Sequence, residues 1–261
     1  MRPDATLVHA AAWGLAAGAC VAAITWAMSL PKRDVSIVDS AWSLLVWAPA
    51  VVVAAMLPQT GPRAAAVLAL AGAWGLRLSA YITLRHRGQP EDRRYQAIRR
   101  RNEPHFEWKS LYLVFGLQAV LGWVVALPLM AAVASPVPWR ALDAIGIALF
   151  AFGVAFEAVA DAQLARFQSD SARSRSVLDT GLWRYSRHPN YFGECCLWWG
   201  AWLIAAAADA LWTVASPLLM TVLLLRVSGV KLLEADIGER RPAYADYVRR
   251  TNAFLPGRPR A

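Results

Sequence analysis

The sequence predicts an all-α, polytopic membrane protein with about seven transmembrane helices, cytoplasmic loops and an amphipathic C-terminal helix. Two observations lead to this prediction. The 261 residues are 57% hydrophobic with a mean hydropathy of +0.35, and several apolar runs approach the roughly 20 residues that a helix needs to cross a bilayer. The basic residues also fall into alternate loops and the tail, which is the pattern that membrane topology imposes.

Seven apolar runs account for the predicted helices in chain order. The runs are Leu7–Leu30, Ser36–Leu57, Arg63–Leu84, Trp108–Ala134, Ala141–Ala165, Tyr191–Ala208 and Leu211–Arg226. The first run has no clear small-residue cleavage site, so we expect a retained helix rather than a signal peptide. Between the third and fourth runs, the charged stretch Glu91–Arg101 predicts a short amphipathic helix that lies on lipid headgroups.

The net charge of +9 follows the predicted topology. Basic residues cluster after the first, third, fifth and seventh runs, whereas the opposite loops and the N-terminus contain only Arg2, Arg63 and Arg140. By the positive-inside rule, the N-terminus lies outside and the C-terminus in the cytoplasm, as in a bacterial inner membrane. The basic residues form no single stripe, so we expect no nucleic-acid partner. The three cysteines lack disulfide or metal-ligand spacing, and we expect no metal.

Three polar residues interrupt the second and third apolar runs. Asp39 lies early in the second run, and Arg77 and Tyr81 lie four residues apart in the third, on one helical face. One interpretation is a structural ion pair between Asp39 and Arg77. The other is a polar pocket in which an acid and a phenol donate a proton or hold a carbonyl group.

Two carboxylates, Glu157 and Asp161, share one face near the end of the fifth run. Like charges at this spacing repel, and carboxylates at a helix C-terminus oppose the helix dipole. Acceptors for ribose hydroxyls are a natural use of such a pair. The alternative is a pair that nearby arginines neutralise. Arg166, the first of these arginines in the chain, is itself a candidate for cofactor binding.

The densest polar cluster is Gly181–Glu194, between two apolar runs. Pro189 predicts the first turn of the sixth helix, whose N-terminal amides favour an anion such as a pyrophosphate. Asn190 and Glu194 share a face of that helix, and together they match the donor and acceptor of a carboxamide. The surrounding candidates for ligand binding are Arg184, Tyr185, Arg187, His188 and Tyr191. The alternative is an ordinary basic loop with a capped helix.

The tail after the seventh run continues the polar pattern. Its candidate residues are Arg226, Glu234, Tyr244 and Tyr247. An amphipathic helix with paired tyrosines and arginines fits an adenine nucleotide, and it fits lipid headgroups equally well. The sequence contains no glycine-rich dinucleotide fingerprint, no phosphate-binding P-loop and no serine elbow.

These motifs resemble the DUF1295 family of the steroid 5α-reductase superfamily. The resemblance rests first on Gly181–Glu194, and it covers nearly the whole chain after the first run. The further matching segments are Ser36–Trp42, Trp74–Arg77, Glu91–Tyr95, Glu157–Asp161 and Arg226–Glu234.

The resemblance implies a reductase that binds NADPH from the cytoplasmic side. Asn190 and Glu194 match residues that face the nicotinamide, and Asp161 matches a residue at the adenosine portion. Tyr185 and Arg226 match further positions near the cofactor. The reaction implied is hydride transfer to the β-carbon of an enone while an acidic group polarises the carbonyl oxygen. On this basis, residues 1–261 form one domain, with the substrate side mainly in residues 7–134 and the cofactor side mainly in 141–250.

The substrate is left open because the chain departs from the steroid enzymes where substrate binds. Asp39 is the only acid in the second run, and Trp74 takes the place of a tyrosine in the third. A steroid-like lipid, a polyprenoid and an unsaturated fatty acyl chain all fit, in a monomer surrounded by membrane lipids. The Arg-His-Pro-x-Tyr string also resembles membrane methyltransferases that use S-adenosylmethionine, and a non-catalytic lipid-binding scaffold is the third interpretation.

Overall fold

A computed structural model describes residues 5–170, 176–227 and 244–260, and those residues form helices and loops without a β-strand. The predicted all-α fold is therefore confirmed. In chain order the helices are α1 (Ala5–Lys32), α2 (Ile37–Met56), α3 (Ala64–His86), α4 (Arg93–Asn102), α5 (Phe106–Ser110), α6 (Leu117–Val125), α7 (Leu127–Ala134), α8 (Ala141–Ser169), α9 (Pro189–Ala207), α10 (Ala215–Val222) and α11 (Tyr244–Arg250).

Five helical stretches in the described residues are long and apolar enough to cross a membrane. They are Ala5–Lys32, Ile37–Met56, Ala64–His86, Phe106–Val125 and Ala141–Ser169. The chain is thus an integral membrane protein. The last two predicted spans are helical as well, as α9 and as the shorter apolar helix Leu211–Val227.

The fourth apolar run is built from several pieces rather than from one helix. A π-helical turn, Leu111–Gly116, joins α5 to α6, and α6 ends at Val125. Pro128 lies at the start of α7, where the missing N–H of proline costs no helical hydrogen bond. Six consecutive residues of α7, 128–133, are buried, so this helix is a core element rather than a lipid-facing one.

The described chain divides into two compact units. Unit 1 contains Met1–Arg140 and Ala205–Thr213, and unit 2 contains Ala141–Ile204 and Val214–Ala261. In unit 1, α2 packs against α1, α3, α6 and α7, which explains why Val38, Leu45 and Val46 are fully buried on it. Just before α3 in the same unit, the buried Arg63 donates hydrogen bonds to the carbonyl oxygens of Val137, Pro138 and Ala207.

In unit 2, α8 and α9 run antiparallel along a seam of glycines. A Cβ atom at Gly153 would lie 2.5 Å from the Leu197 nitrogen, and one at Gly193 would lie 2.7 Å from the Glu157 nitrogen. Gly146 and Gly200 make the same kind of contact one heptad away along the seam. The absence of side chains at these positions lets the two backbones approach closely, as small residues do between membrane helices.

Candidate functional site

The α8–α9 seam brings together the polar residues that the sequence pattern singled out in unit 2. Glu157, Asp161, His188 and Glu194 are all buried, and Asn190 is half-buried. The Asn190 side-chain amide donates a hydrogen bond to an Asp161 oxygen over 3.3 Å. Burial of several acids within one helix pair is expensive unless hydrogen-bonding or charged groups compensate for it. This concentration of acids is therefore the first candidate for a ligand site.

Glu194 is oriented by its own helix. The indole nitrogen of Trp198 donates a hydrogen bond to Oε1 of Glu194 over 2.9 Å, and Trp198 is fully buried one turn further along α9. One turn before Glu194 lies Asn190, so the amide and the carboxylate share a face of the helix. This arrangement places on one face a carboxylate, which accepts hydrogen bonds, and an amide, which both donates and accepts them.

The loop before α9 is attached to α8 at its beginning. Gly181 has a left-handed backbone with φ of +61°, and a Cβ atom there would lie 2.6 Å from the Gln163 side chain. Gln163 accepts a hydrogen bond from the Leu182 nitrogen over 3.0 Å, and the Trp183 indole donates to the Ala160 carbonyl over 3.1 Å. The loop is thus fixed on the same helix that carries Glu157 and Asp161.

The C-terminal segment holds the same loop from its other side. The Arg187 guanidinium donates to the carbonyl oxygens of Val248 and Thr251, and Ser186 donates to the carbonyl of Phe254 over 2.8 Å. The Tyr247 hydroxyl donates to the Trp183 carbonyl and is buried. Arg187 and Tyr247 therefore fasten the tail to the loop, a structural use that their sequence pattern did not indicate.

A second polar group lies in unit 1, at the end where α2 begins and α3 ends. Asp39 accepts hydrogen bonds from Arg94 over 2.6 Å and from the Tyr95 hydroxyl over 2.5 Å. Gln118 of α6 donates in turn to the Tyr95 oxygen over 3.0 Å. Burial, reinforced by the Asp39 charge, raises the pKa of Tyr95 well above its ordinary value, so this phenol is a neutral donor. Arg94 thus forms an ion pair with Asp39, which the interpretation of an Asp39–Arg77 pair did not include.

Arg77 and Tyr81 lie on α3 close to the level of Asp39. The Ser79 hydroxyl, between them in sequence, donates to the Ser40 carbonyl of α2, which joins the two helices at this level. The side-chain atoms Nε and Nη2 of Arg77 and Oη of Tyr81 are buried. The Arg85 guanidinium lies 5.4 Å from the centre of the Tyr81 ring. The residues named as catalytic candidates thus occupy one end of unit 1.

The comparisons with known proteins identify the family. Residues 25–251 match the family described as protein of unknown function (DUF1295). The chain belongs to the DUF1295 family. No curated protein and no solved structure matches it. The resemblance inferred from Gly181–Glu194 and its companion motifs is therefore confirmed at the level of the family.

The other cofactor candidates of this DUF1295 protein differ in their exposure. Arg166, Arg184, Tyr185 and Arg226 are exposed, whereas Tyr191 is half-buried. The Tyr191 ring stacks on the buried His188 imidazole with 5.6 Å between ring centroids. Tyr244 is buried against the Tyr247 ring. Glu234 lies outside the residues that the structure describes.

Several residues that organise the α8–α9 seam and the surroundings of Asp39 were not predicted from the sequence. Tyr95, Arg94 and Gln118 surround Asp39, but they come from a loop helix and a distant span, and no sequence spacing connects them to it. Trp198 was detectable, because it follows Glu194 by four residues and a buried indole needs an acceptor. The glycines at positions 146, 153, 193 and 200 were detectable too, since each pair repeats at seven residues.

Proposed function

We propose that this DUF1295 protein is a membrane-embedded, NADPH-dependent reductase. It reduces a carbon–carbon double bond conjugated to a carbonyl in a steroid-like or other lipid substrate. The observation that supports the proposal most strongly is the buried group of Glu157, Asp161, Asn190 and Glu194 at the α8–α9 seam. The proposal assigns cofactor binding to unit 2 and substrate binding to unit 1. The N-terminus is outside and the C-terminus cytoplasmic, which makes the cytoplasm the source of the cofactor.

The residues present fit the chemistry of a nicotinamide dinucleotide. Asn190 and Glu194, on one face of α9, match the carbonyl and amide groups of a carboxamide. Asp161 and Glu157 supply carboxylate acceptors for ribose hydroxyls. Arg166 and Arg184 are exposed guanidinium groups suited to phosphate oxygens, whereas the Arg187 guanidinium already binds backbone carbonyls.

When bound, the cofactor supplies a hydride for the β-carbon of the substrate. The side chains of the protein draw electrons toward the substrate carbonyl and exclude water from the reacting carbons. Arg77 and Tyr81 are hydrogen-bond donors by their chemistry, and they are the groups that we assign to the carbonyl oxygen. Asp39 accepts hydrogen bonds from Arg94 and Tyr95, so we assign it an acceptor's role in the catalytic group. A proton from this polar group then reaches the α-carbon, and the saturated carbonyl product leaves.

A single substitution in the seam tests the cofactor assignment. Glu194→Gln keeps the shape of the side chain and an acceptor for Trp198, but it replaces the second carboxylate oxygen with a donor. Because a lost buried hydrogen bond to a charged group costs about 1.5–3 kcal/mol, we expect NADPH affinity to fall about tenfold to a hundredfold. Calorimetric titration of the detergent-solubilised protein measures the change.

The matched control for this titration is Asp246→Asn, a carboxylate-to-amide change at an exposed site of the same unit. It leaves the seam intact and should bind NADPH as the unmodified protein does. Thermal unfolding of both variants shows that each is folded. Unchanged NADPH affinity in folded Glu194→Gln protein would remove the nicotinamide assignment.

The alternative function is S-adenosylmethionine-dependent methyl transfer. The same carboxylates favour it, because Asp161 and Glu157 would accept hydrogen bonds from the ribose of an S-adenosyl ligand equally well. The two functions differ in the charge that the loop must hold, since only the dinucleotide carries a pyrophosphate. The reductase is supported if the bound nucleotide is displaced by NADP⁺ but not by S-adenosylmethionine and its affinity falls with added salt. The transferase is supported if the bound nucleotide is displaced by S-adenosylmethionine but not by NADP⁺.

A further inference from the structure

The residues that lead into the loop helix α4 are attached to the residues that lead into α2. The backbone nitrogen of Asp92 donates to the Ser36 hydroxyl over 2.7 Å, and Glu91 accepts from the Val35 nitrogen over 3.0 Å. Arg99 forms a bidentate ion pair with Glu91, which joins α4 to the segment just before it. α4 therefore does more than lie on headgroups, since one side of it belongs to the core of unit 1.

Both hydrogen bonds that Asp39 accepts come from adjacent residues of α4. Arg94 binds Oδ2 and Tyr95 binds Oδ1, so each carboxylate oxygen has one fixed donor. Tyr95 is buried, and Gln118 of α6 fixes the phenol from the far side. A carboxylate held by two donors from one helix cannot rotate without breaking one of these bonds. The geometry thus fixes the direction in which the remaining lone pairs of Asp39 point.

We propose that α4 is part of the substrate side of the site, with Tyr95 and Arg94 as positioning residues that hold Asp39 as an oriented hydrogen-bond acceptor. This inference rests on the proposed function, in which Asp39 contacts the polar end of the substrate. An acceptor in that place selects a substrate that carries a hydrogen-bond donor, such as a hydroxyl group, near the conjugated carbonyl. The substrate class is therefore a hydroxylated enone lipid.

The charged groups around Asp39 come from several elements. On α4 they are Arg94 and Tyr95, and Asp92 shares the Arg94 guanidinium with Asp39. The charged or titratable side chains on α3 at this end are Arg77, Tyr81, Arg85 and His86, and His86 pairs with Asp34 of the α1–α2 turn over 3.0 Å. α6 contributes the uncharged Gln118. The Asp39 charge therefore acts on Tyr95 directly, and its removal should be detectable at the phenol.

The first test measures that coupling without cofactor or substrate. A fluorinated tyrosine is incorporated at position 95, and its ionisation is followed by ¹⁹F NMR against pH in detergent-solubilised protein. Because the Asp39 charge raises the pKa of Tyr95, we expect Asp39→Asn to lower the titration midpoint at position 95.

A second variant keeps this test decisive if Asp39→Asn fails to fold. The Gln118 hydrogen bond lowers the pKa of Tyr95, so Gln118→Leu should move the midpoint at position 95 upward, in the opposite direction. An unchanged midpoint in the folded variants would overturn the inference. A downward shift of the midpoint in Asp39→Asn and an upward shift in Gln118→Leu support it.

The second test separates a positioning role from a purely structural one. Tyr95→Phe removes only the hydroxyl, and we expect at least a tenfold loss in the kcat for reduction of a hydroxylated enone lipid, with NADPH affinity unchanged. In the Asp39→Asn background the same change should have no further effect, because the two residues act as a unit. Unchanged kcat in folded Tyr95→Phe protein would overturn the inference.

The two proposals fail separately. Absence of NADPH binding would contradict the proposed reductase, whatever the fluorotyrosine titration shows. An unchanged titration midpoint would contradict the coupling of Tyr95 to Asp39 even in a protein that binds and oxidises NADPH.

Discussion

Two arginines of the loop before α9 have different environments, although both were candidates for ligand binding. Arg187 is buried and donates to two backbone carbonyls of the C-terminal segment, whereas Arg184 is exposed. A guanidinium presents several donors in a fixed fork, and a lysine ammonium cannot reproduce that geometry. The fastening of the tail to the loop therefore depends on arginine at position 187.

Replacement of the two arginines by lysine should separate their roles. We expect Arg187→Lys to lower the free energy of unfolding by about 1.5–3 kcal/mol, because hydrogen bonds from a buried charge are lost. Arg184→Lys should leave stability unchanged within about 0.5 kcal/mol and weaken NADPH binding in a salt-dependent way. Thermal and chemical unfolding in detergent measure the first effect. Equal stability of the two variants would show that Arg187 does not hold the tail.

The Asp34–His86 contact makes a prediction about acid stability. Burial raises the pKa of Asp34, but the hydrogen bonds from Ser36 and His86 outweigh it and hold the pKa below its ordinary 3.8. A folded-state pKa below the unfolded-state value of 3.8 stabilises the protein fully above pH 3.8, and this contribution is lost as pH falls through the folded-state pKa. Asp34→Asn should therefore lower the melting temperature at pH 6, and the difference from the unmodified protein should shrink as pH falls from 3.8 and vanish below the folded-state pKa. The exposed Glu103→Gln is the control, and a constant difference at all pH values would contradict this account.

Among single residues, the sequence indicated which polar groups are buried better than it indicated their hydrogen-bond partners. Glu157, Asp161, Asn190 and Glu194 were singled out as charges and amides in apolar surroundings, and the structure places them along one seam. The environment of Asp39 was not predictable, because its hydrogen-bond donors lie on α4 and no regular spacing in the sequence relates them to Asp39. Helical periodicity reports contacts within a helix, and contacts between helices depend on packing that one sequence does not encode locally.

At the scale of elements, the α8–α9 seam is the feature on which the cofactor assignment depends. A methyl group at Gly193 would lie 2.7 Å from the Glu157 nitrogen and from the Gly153 carbonyl oxygen, so the helices would have to separate. That separation moves Asn190 away from Asp161, to which it is now joined over 3.3 Å. The contact between Asn190 and Asp161 therefore depends on the close packing of α8 and α9.

Substitution of one seam glycine should affect both stability and ligand binding. We expect Gly193→Ala to lower the free energy of unfolding by about 1–3 kcal/mol, as overpacking usually does, and to reduce NADPH affinity. Gly18→Ala is the matched control, because a methyl group there meets only atoms 3.9 Å away. Denaturant unfolding and NADPH titration of both variants provide the comparison. A fully stable Gly193→Ala protein would show that the seam can relax.

Element boundaries were predictable where a local signal marks them. Asp92 caps α4 by accepting a hydrogen bond from the Arg94 nitrogen, and Pro189 begins α9, both within the predicted segments. The fourth apolar run was predicted as one helix from Trp108 to Ala134, but α6 ends at Val125 and a separate buried helix follows. Hydropathy measures whether a residue avoids water, and it does not distinguish burial in lipid from burial in protein.

At the scale of the whole molecule, the distribution of basic residues predicts an orientation that the fold alone does not specify. Arg94 and Arg99 of α4 face acids, while Arg93, Arg100 and Arg101 are exposed on its other side. Exposed arginines in this loop favour the cytoplasmic face, where anionic headgroups also attract them. A reporter that fluoresces only in the cytoplasm should therefore be active when it is fused at Arg101 or Arg260. It should be inactive at Arg140, and activity at all three positions would contradict the predicted topology.

Mass spectrometry of the small molecules released from gently purified protein decides whether unit 2 binds a nicotinamide dinucleotide. We expect NADP⁺ or NADPH to be recovered from the unmodified protein and lost from Glu194→Gln. Recovery of S-adenosylmethionine or its demethylated product would instead make the protein a methyltransferase. Folded protein that retains neither ligand, and binds neither when it is added, would contradict both and favour a lipid-binding scaffold.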